Sequence, residues 1–165
     1  MRQFHHFVKQ ITKPISLPFW WMECLHYFPR FIGGLLLAID FGASKFGMPW
    51  STTPDLALFH VPQWFVKDVA EFGMPFNIMP QFFAWMGAAS ETLGGICLVL
   101  GFQTRIAGTF IGLTMLVALI FQKWGQGTWE MLPAMGFLWI SIYSIILGSG
   151  RIGLDHLLYR KLQKN

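Results

Sequence analysis

Four long apolar runs constrain this chain more than any other feature. They cover residues 28–46, 81–100, 105–121 and 129–147. At about 1.5 Å per helical residue, each can reach roughly 25–30 Å. That matches a hydrocarbon core of about 30 Å. The runs are continuous and do not alternate, so they suit helices and not barrel strands. Composition agrees. Charged residues make up only 12% of the 165 residues, against a usual share of about 25%. Mean hydropathy is +0.48. A water-soluble domain of this size would lack the polar side chains to cover its surface.

The expected fold is therefore all-α: a polytopic membrane protein with a four-helix, up-down transmembrane bundle. Residues 1–27 form an N-terminal segment on the cytoplasmic surface, residues 28–158 the membrane domain, and residues 159–165 a basic tail. Prolines and glycines mark the boundaries. Pro29, Pro80 and Pro133 lie at or near helix starts, where a missing N–H costs little. Gly101 and Gly148 lie at helix ends, where a left-handed cap is wanted. The N-terminal segment shows no small-residue cleavage site, and Pro14 and Pro18 interrupt it.

Charge predicts the orientation. Arg2, Lys9, Lys13, Arg30, Arg105, Arg151, Arg160, Lys161 and Lys164 fall on one side of an even-numbered bundle. Lys45, Lys67 and Lys123 fall on the other. The positive-inside rule then places both termini in the cytoplasm, with Arg105, Arg151 and Asp155 as anchors there. Trp50, Trp64, Trp85, Trp124 and Trp129 cluster near the outer boundary, and Trp20 and Trp21 near the inner one. This is the aromatic belt expected at a membrane interface. The net charge of +4 thus reads as a topology and lipid-headgroup signal. No basic stripe interleaved with exposed aromatics suggests a nucleic-acid partner.

The outer connection, residues 47–79, is long for a loop. Thr53 and Pro54 carry the pattern of a helix start. A second short helix is expected to begin near Pro62 and stop at Gly73. Its Phe65, Val69 and Phe72 form one oily face. It is read as an interfacial helix on the outer leaflet, with a lid over a cavity or a docking surface as the alternative.

Small residues recur within the spans. Gly33, Gly87, Gly94, Gly95 and the Gly108-x-x-x-Gly112 pair are expected to let helices approach closely. Cys24 and Cys97 form no C-x-x-C, and the five histidines have no ligand spacing, so a metal or haem centre has no support.

Polar residues inside the spans carry the functional signal. Gly87, Glu91, Gly94 and Leu98 share one face of the second span, so Glu91 points toward protein. Gly33, Leu37, Asp40 and Ser44 share a face of the first by the same spacing. Counted from the outer boundary, Asp40 is about 9 Å deep and Glu91 about 15 Å deep. The candidate cluster is Glu91, Asp40, Lys45, Ser44 and Tyr143. An intramembrane acid costs roughly 2.5–3.5 kcal/mol. Three roles stay open for Glu91: an ion pair or hydrogen bond to Lys45, Ser44 or Tyr143; a proton-handling or ligand-contacting group in an outward-open cavity; or a contact to a partner subunit.

The order of short motifs resembles the DoxX family of small membrane proteins. Those motifs are Gly42 with Lys45, Glu91-Thr92-Leu93-Gly94-Gly95, Leu100-Gly101-Phe102-Gln103-Thr104-Arg105, Met115 with Ala118, and Gly148-Ser149-Gly150-Arg151-Ile152-Gly153-Leu154-Asp155. The resemblance implies a bacterial inner-membrane protein that supports a membrane oxidoreductase complex, with a quinone as the implied cofactor. It also implies a protein partner, or a second copy of the chain, in the bilayer. The competing expectations are a scaffold or assembly factor without a ligand and, with less support, a small-solute transporter.

Overall fold

Phe19 has an extended backbone immediately after Pro18, and the chain turns helical at Trp20. The computed structural model describes residues 12, 15 and 17–164; most of the expected N-terminal surface segment and the last tail residue lie outside them. The first helix, α1, runs Trp20–Leu35 and continues as a π-type stretch over Leu36–Phe41. It starts eight residues before the expected boundary at residue 28 and carries Pro29 in its interior. The reason is a buried polar face. Glu23, His26 and Arg30 recur at helical spacing and are almost fully enclosed. Their contacts offset the backbone hydrogen bond that Pro29 removes.

The outer connection then folds back over the bundle. Thr53 and Pro54 start no helix. The Thr53 hydroxyl donates instead to the Ser44 carbonyl at 2.6 Å, and Asp55 adopts φ 55°. The capping group is thus engaged by the end of the first span. Helix α2, Gln63–Ala70, begins after Pro62 as expected. Its Phe65, Val66 and Val69 are buried with Phe46, Phe76, Ala84 and Ala88. So α2 presses its oily face onto the bundle and not into lipid.

Helix α3, Pro80–Leu100, has Pro80 in its first turn. It ends in a Schellman motif: Gly101 sits at φ 63°, and Phe102 N–H donates to the Cys97 carbonyl at 2.9 Å. Helix α4 covers Thr104–Val117 and continues as a second π-type stretch, Ala118–Lys123. Helix α5 is Thr128–Leu147. A sixth helix, α6, spans Leu154–Lys164, where only a basic tail was expected.

Four of these helices, counting the π-type extensions, are long and apolar enough to cross a membrane. Ile39, Leu113, Leu116, Ile120, Trp139 and Ile146 are exposed along them, which in lipid is their favourable state. The bundle is up-down. Neighbours α1–α3, α3–α4 and α4–α5 pack extensively, whereas α1 and α5 meet at fewer places, through Gly33 and Ile140, Phe41 and Phe137, and His26 and Tyr143.

Small residues set the closest approaches. A Cβ on Gly95 would sit 2.7 Å from the Gly34 carbonyl oxygen, and the reverse holds for Gly34. Gly94 faces Ile111, Gly33 faces Ile140, and Gly108 and Gly112 face Ser141. Gly87 does otherwise: it borders a cavity and has no tight helix contact. Accordingly, Gly95→Ala should lower unfolding stability in mixed micelles by about 1–2 kcal/mol through overpacking. Gly136→Ala should leave it unchanged, because nothing lies within 4 Å of that position.

Candidate functional site

Glu91 sits near the middle of α3 with its side chain only 5% exposed. Its Oε2 lies 2.8 Å from Lys45 Nζ. Lys45 is delivered by the turn after α1, and that turn is held firmly. Trp50 Nε1–H donates to the Ala38 carbonyl at 3.0 Å, and Ser51 Oγ to the Ala43 carbonyl at 2.8 Å. With Thr53 on Ser44, these bonds satisfy carbonyls that the end of the span would leave open. The ammonium also lies 5.3 Å from the centre of the Phe65 ring, within cation–π range.

The pair forms part of the wall of a cavity of about 220 Å³. Phe65, Phe72, Phe76 and Phe83 supply much of the rest, and Phe76 meets Phe72, Phe83 and Phe121 edge-on. Helix α2 roofs it, so the lid alternative describes its placement better than the leaflet-surface one. Met86 and Gly87 of α3 and the lipid-facing Leu113 of α4 also border it, with Gly87 close to the Phe65 ring. A cavity of about 150 Å³ accommodates a benzene ring. The arrangement can therefore take a flat, substituted ring and offer one charge-assisted hydrogen bond at its edge.

The other expected members of the cluster lie elsewhere. Asp40 is exposed in a shallow groove between α1 and α5, beside Gly33, Pro133 and Gly136. Asp40 stays on the side of α1 that carries Gly33 and Leu36, which borders the groove toward α5. The helix widens just beyond it, where Gly42 N–H donates to the Leu37 carbonyl five residues back at 2.8 Å, and Gly42 then packs against Thr92 of α3. Ser44 hydrogen-bonds within its own turn, to the Phe41 carbonyl. Tyr143 lies at the far end of the bundle, its ring 5.1 Å from that of His26.

That far end holds a second polar cluster, which the sequence reading did not assemble. Glu23 accepts from Arg151 N–H at 2.9 Å and lies 3.5 Å from Arg151 Nε. Arg30, fully enclosed, donates from Nη2 to the Ile152 carbonyl at 2.7 Å and lies 5.2 Å from the Tyr27 ring centre. Gly150, at φ 62°, lets the chain pass where a Cβ would strike Glu23 and His26. Asp155 caps α4: Gln103 N–H, Thr104 N–H and the Thr104 hydroxyl donate to it at 2.7, 3.0 and 3.0 Å. Arg105 lies against Gly148 at the end of α5. The signal for this cluster was the Glu23, His26, Arg30 spacing itself.

The fold and the buried ion pair thus define a polytopic, four-span membrane protein with an aromatic cavity near one end of the bundle. Residues 56–124 match the DoxX family. The motifs at residues 91–95, at residues 100–105 and at Met115 with Ala118 fall inside that segment, and those at Gly42 with Lys45 and at residues 148–155 lie outside it. That segment contains α2, α3 and α4, hence every named wall residue of the cavity except Lys45. The chain is also 31% identical over 87 residues to CatD of Bacillus subtilis (strain 168), a protein provisionally named as an oxidoreductase. The alignment covers half of this chain and 62% of that relative. No solved structure matches the chain.

Proposed function

We propose that the chain is a membrane subunit supporting a quinone-linked oxidoreductase complex in a bacterial inner membrane, with both termini in the cytoplasm. The observation that carries this reading is the aromatic cavity with the Lys45–Glu91 pair in its wall. A quinone headgroup is flat, lipophilic and edged by two hydrogen-bond acceptors. Phenylalanine rings suit its faces, and the Lys45 ammonium suits an edge oxygen. Leu113, exposed on α4, gives the cavity a lipid-facing border, and the bilayer is where such a ligand dissolves. The name of the Bacillus relative agrees with a redox setting.

The test is Glu91→Gln in membranes that carry quinone-dependent activity. Glu91→Gln removes the charge-assisted hydrogen bond that holds the Lys45 ammonium at the cavity edge, worth about 1.5 kcal/mol. The ligand contact that depends on this placement weakens with it, so activity per unit of protein should fall about tenfold. Unchanged activity at unchanged protein level would sink the reading.

The open groove between α1 and α5, with Asp40 exposed in it, favours a second reading. There the chain is a scaffold or assembly factor whose partner, or second copy, seats on that face. The same substitution would then lower the amount of complex and leave its turnover intact.

A further inference from the structure

The Lys45–Glu91 pair borders two spaces. Adjoining the aromatic cavity, and sharing Lys45, Glu91, Ala118 and Gln122 with it, lies another of about 310 Å³, between the end of α1, α4 and α5. Lys45, Glu91, Gln122, Lys123, Glu130 and Ala134 are among its lining residues. Its charged groups come from every element around it: Lys45 after α1, Glu91 on α3, Lys123 at the end of α4, and Glu130 on α5. Glu130 is largely exposed, with its Oε2 3.7 Å from Lys123 Nζ, and Lys123 also donates to Gln126 at 3.0 Å. A string of polar groups thus runs from the buried acid to the bundle end that carries the long loop.

Two features argue that this space is wet. Each water needs only about 10–15 Å³ of accessible room and two to four polar partners, and this cavity offers room for several. In addition, both π-type stretches, Leu36–Phe41 and Ala118–Lys123, contribute residues to it. Such widened turns are rare and cluster at functional sites.

We propose that this cavity is a water-filled vestibule through which Glu91 exchanges a proton with solvent at the loop end. A hydronium ion in the vestibule gives its proton to the Glu91 carboxylate and leaves a water behind. In reverse, the carboxylic acid returns the proton to a water, which leaves past Gln122, Lys123 and Glu130. This deepens the quinone-linked reading and rests on it only for what the proton serves: a quinone ring and the water that supplies its protons would meet at the same pair.

The test uses the full chain in proteoliposomes, with Cys24→Ser and Cys97→Ser as background. Single cysteines are placed by Ala134→Cys in the vestibule, by Gln122→Cys where it meets the aromatic cavity, and by Trp139→Cys on the lipid side of the same helix as Ala134. Thr52→Cys and Gln163→Cys mark the loop end and the α6 end. The probe is a small, charged, membrane-impermeant thiosulfonate, which needs a hydrated thiolate to react. Positions 134 and 122 should react from the loop end only, about tenfold or more faster than position 139. No reaction at both vestibule positions, or equal reaction from both ends, overturns the proposal. Infrared difference spectra give a second measure. A pH step at the loop end should change a carboxyl band that Glu91→Gln abolishes; a band unmoved by that step also overturns it. Neither measurement contains a quinone. If both succeed while quinone-dependent activity ignores Glu91→Gln, the vestibule stands and the quinone reading falls.

Discussion

Lys45→Met should destabilise the protein by about 3 kcal/mol in reversible unfolding from mixed micelles. The methionine keeps the length and apolar contacts of the lysine stem. It removes the ammonium that sits 2.8 Å from Glu91. The carboxylate is then enclosed without a counter-charge, and removing one member of a buried pair typically costs about 3–5 kcal/mol. The lower end applies because the Lys45 side chain is 21% exposed and solvent already screens part of the attraction. Glu91→Gln should cost less, since the stranded ammonium can still reach water in the neighbouring cavity. The double substitution should recover at least about half of the Lys45→Met loss, because neither charge then remains. Simple addition of the two single losses would show that the pair is not coupled.

Asp155→Ala should cost a similar amount, about 3 kcal/mol, for a different reason. A helix cap alone contributes about 1–2 kcal/mol. Asp155 does more, receiving three donors from the α3–α4 turn while its own N–H donates to the Gly101 carbonyl at 2.9 Å. Alanine strands the Gln103 and Thr104 donors at a buried position. It also releases the segment that accepts the Arg30 guanidinium through the Ile152 carbonyl. Asp155→Asn keeps one acceptor oxygen and should recover part of the loss. Hydrogen exchange provides a local check: the Gln103 and Thr104 amides should lose protection in Asp155→Ala. If they stay protected, the cap is not what holds this turn.

The four spans were legible because hydropathy and length act over about twenty residues, and no local detail competes with them. Gly101 and Gly148 could be read as stops for a similar reason: a helix end that needs positive φ leaves few residue choices. The pairing of Lys45 with Glu91 is one of three roles the sequence leaves open for Glu91; counting depth brings Asp40, and not Lys45, nearest to it. Depth counting would also have excluded Tyr143, which lies four residues from the far end of α5. It was included for its hydroxyl alone.

Other errors came from local rules that tertiary contacts overrode. Pro29 reads as a helix start, but a buried face of Glu23, His26 and Arg30 extends α1 in front of it. Thr53 reads as a cap, but the Ser44 carbonyl takes its hydroxyl first. Asp40 keeps the expected helical spacing from Gly33, but the face they share borders the groove toward α5 and not Glu91. Arg30 was counted as a topology signal, which it can still be, while its enclosure by the 150–153 segment depends on contacts across the whole chain.

The widened turn of α1 matters beyond its own hydrogen bonds. It acts as a one-residue shim between two halves of the first span. The half before it is phased by Gly34 against Gly95, and the half after it by Lys45 against Glu91. The widened turn takes up one residue more than a regular turn, so closing it to regular α geometry with the residue count unchanged would turn everything downstream by about 100°. The glycine contact would survive, and the lysine would leave Glu91. In this chain the turn between Gly34 and Lys45 is therefore as much a part of the site as the two charged side chains. A relative could keep both charges and still lack the pair if it kept the spacing but not the widened turn.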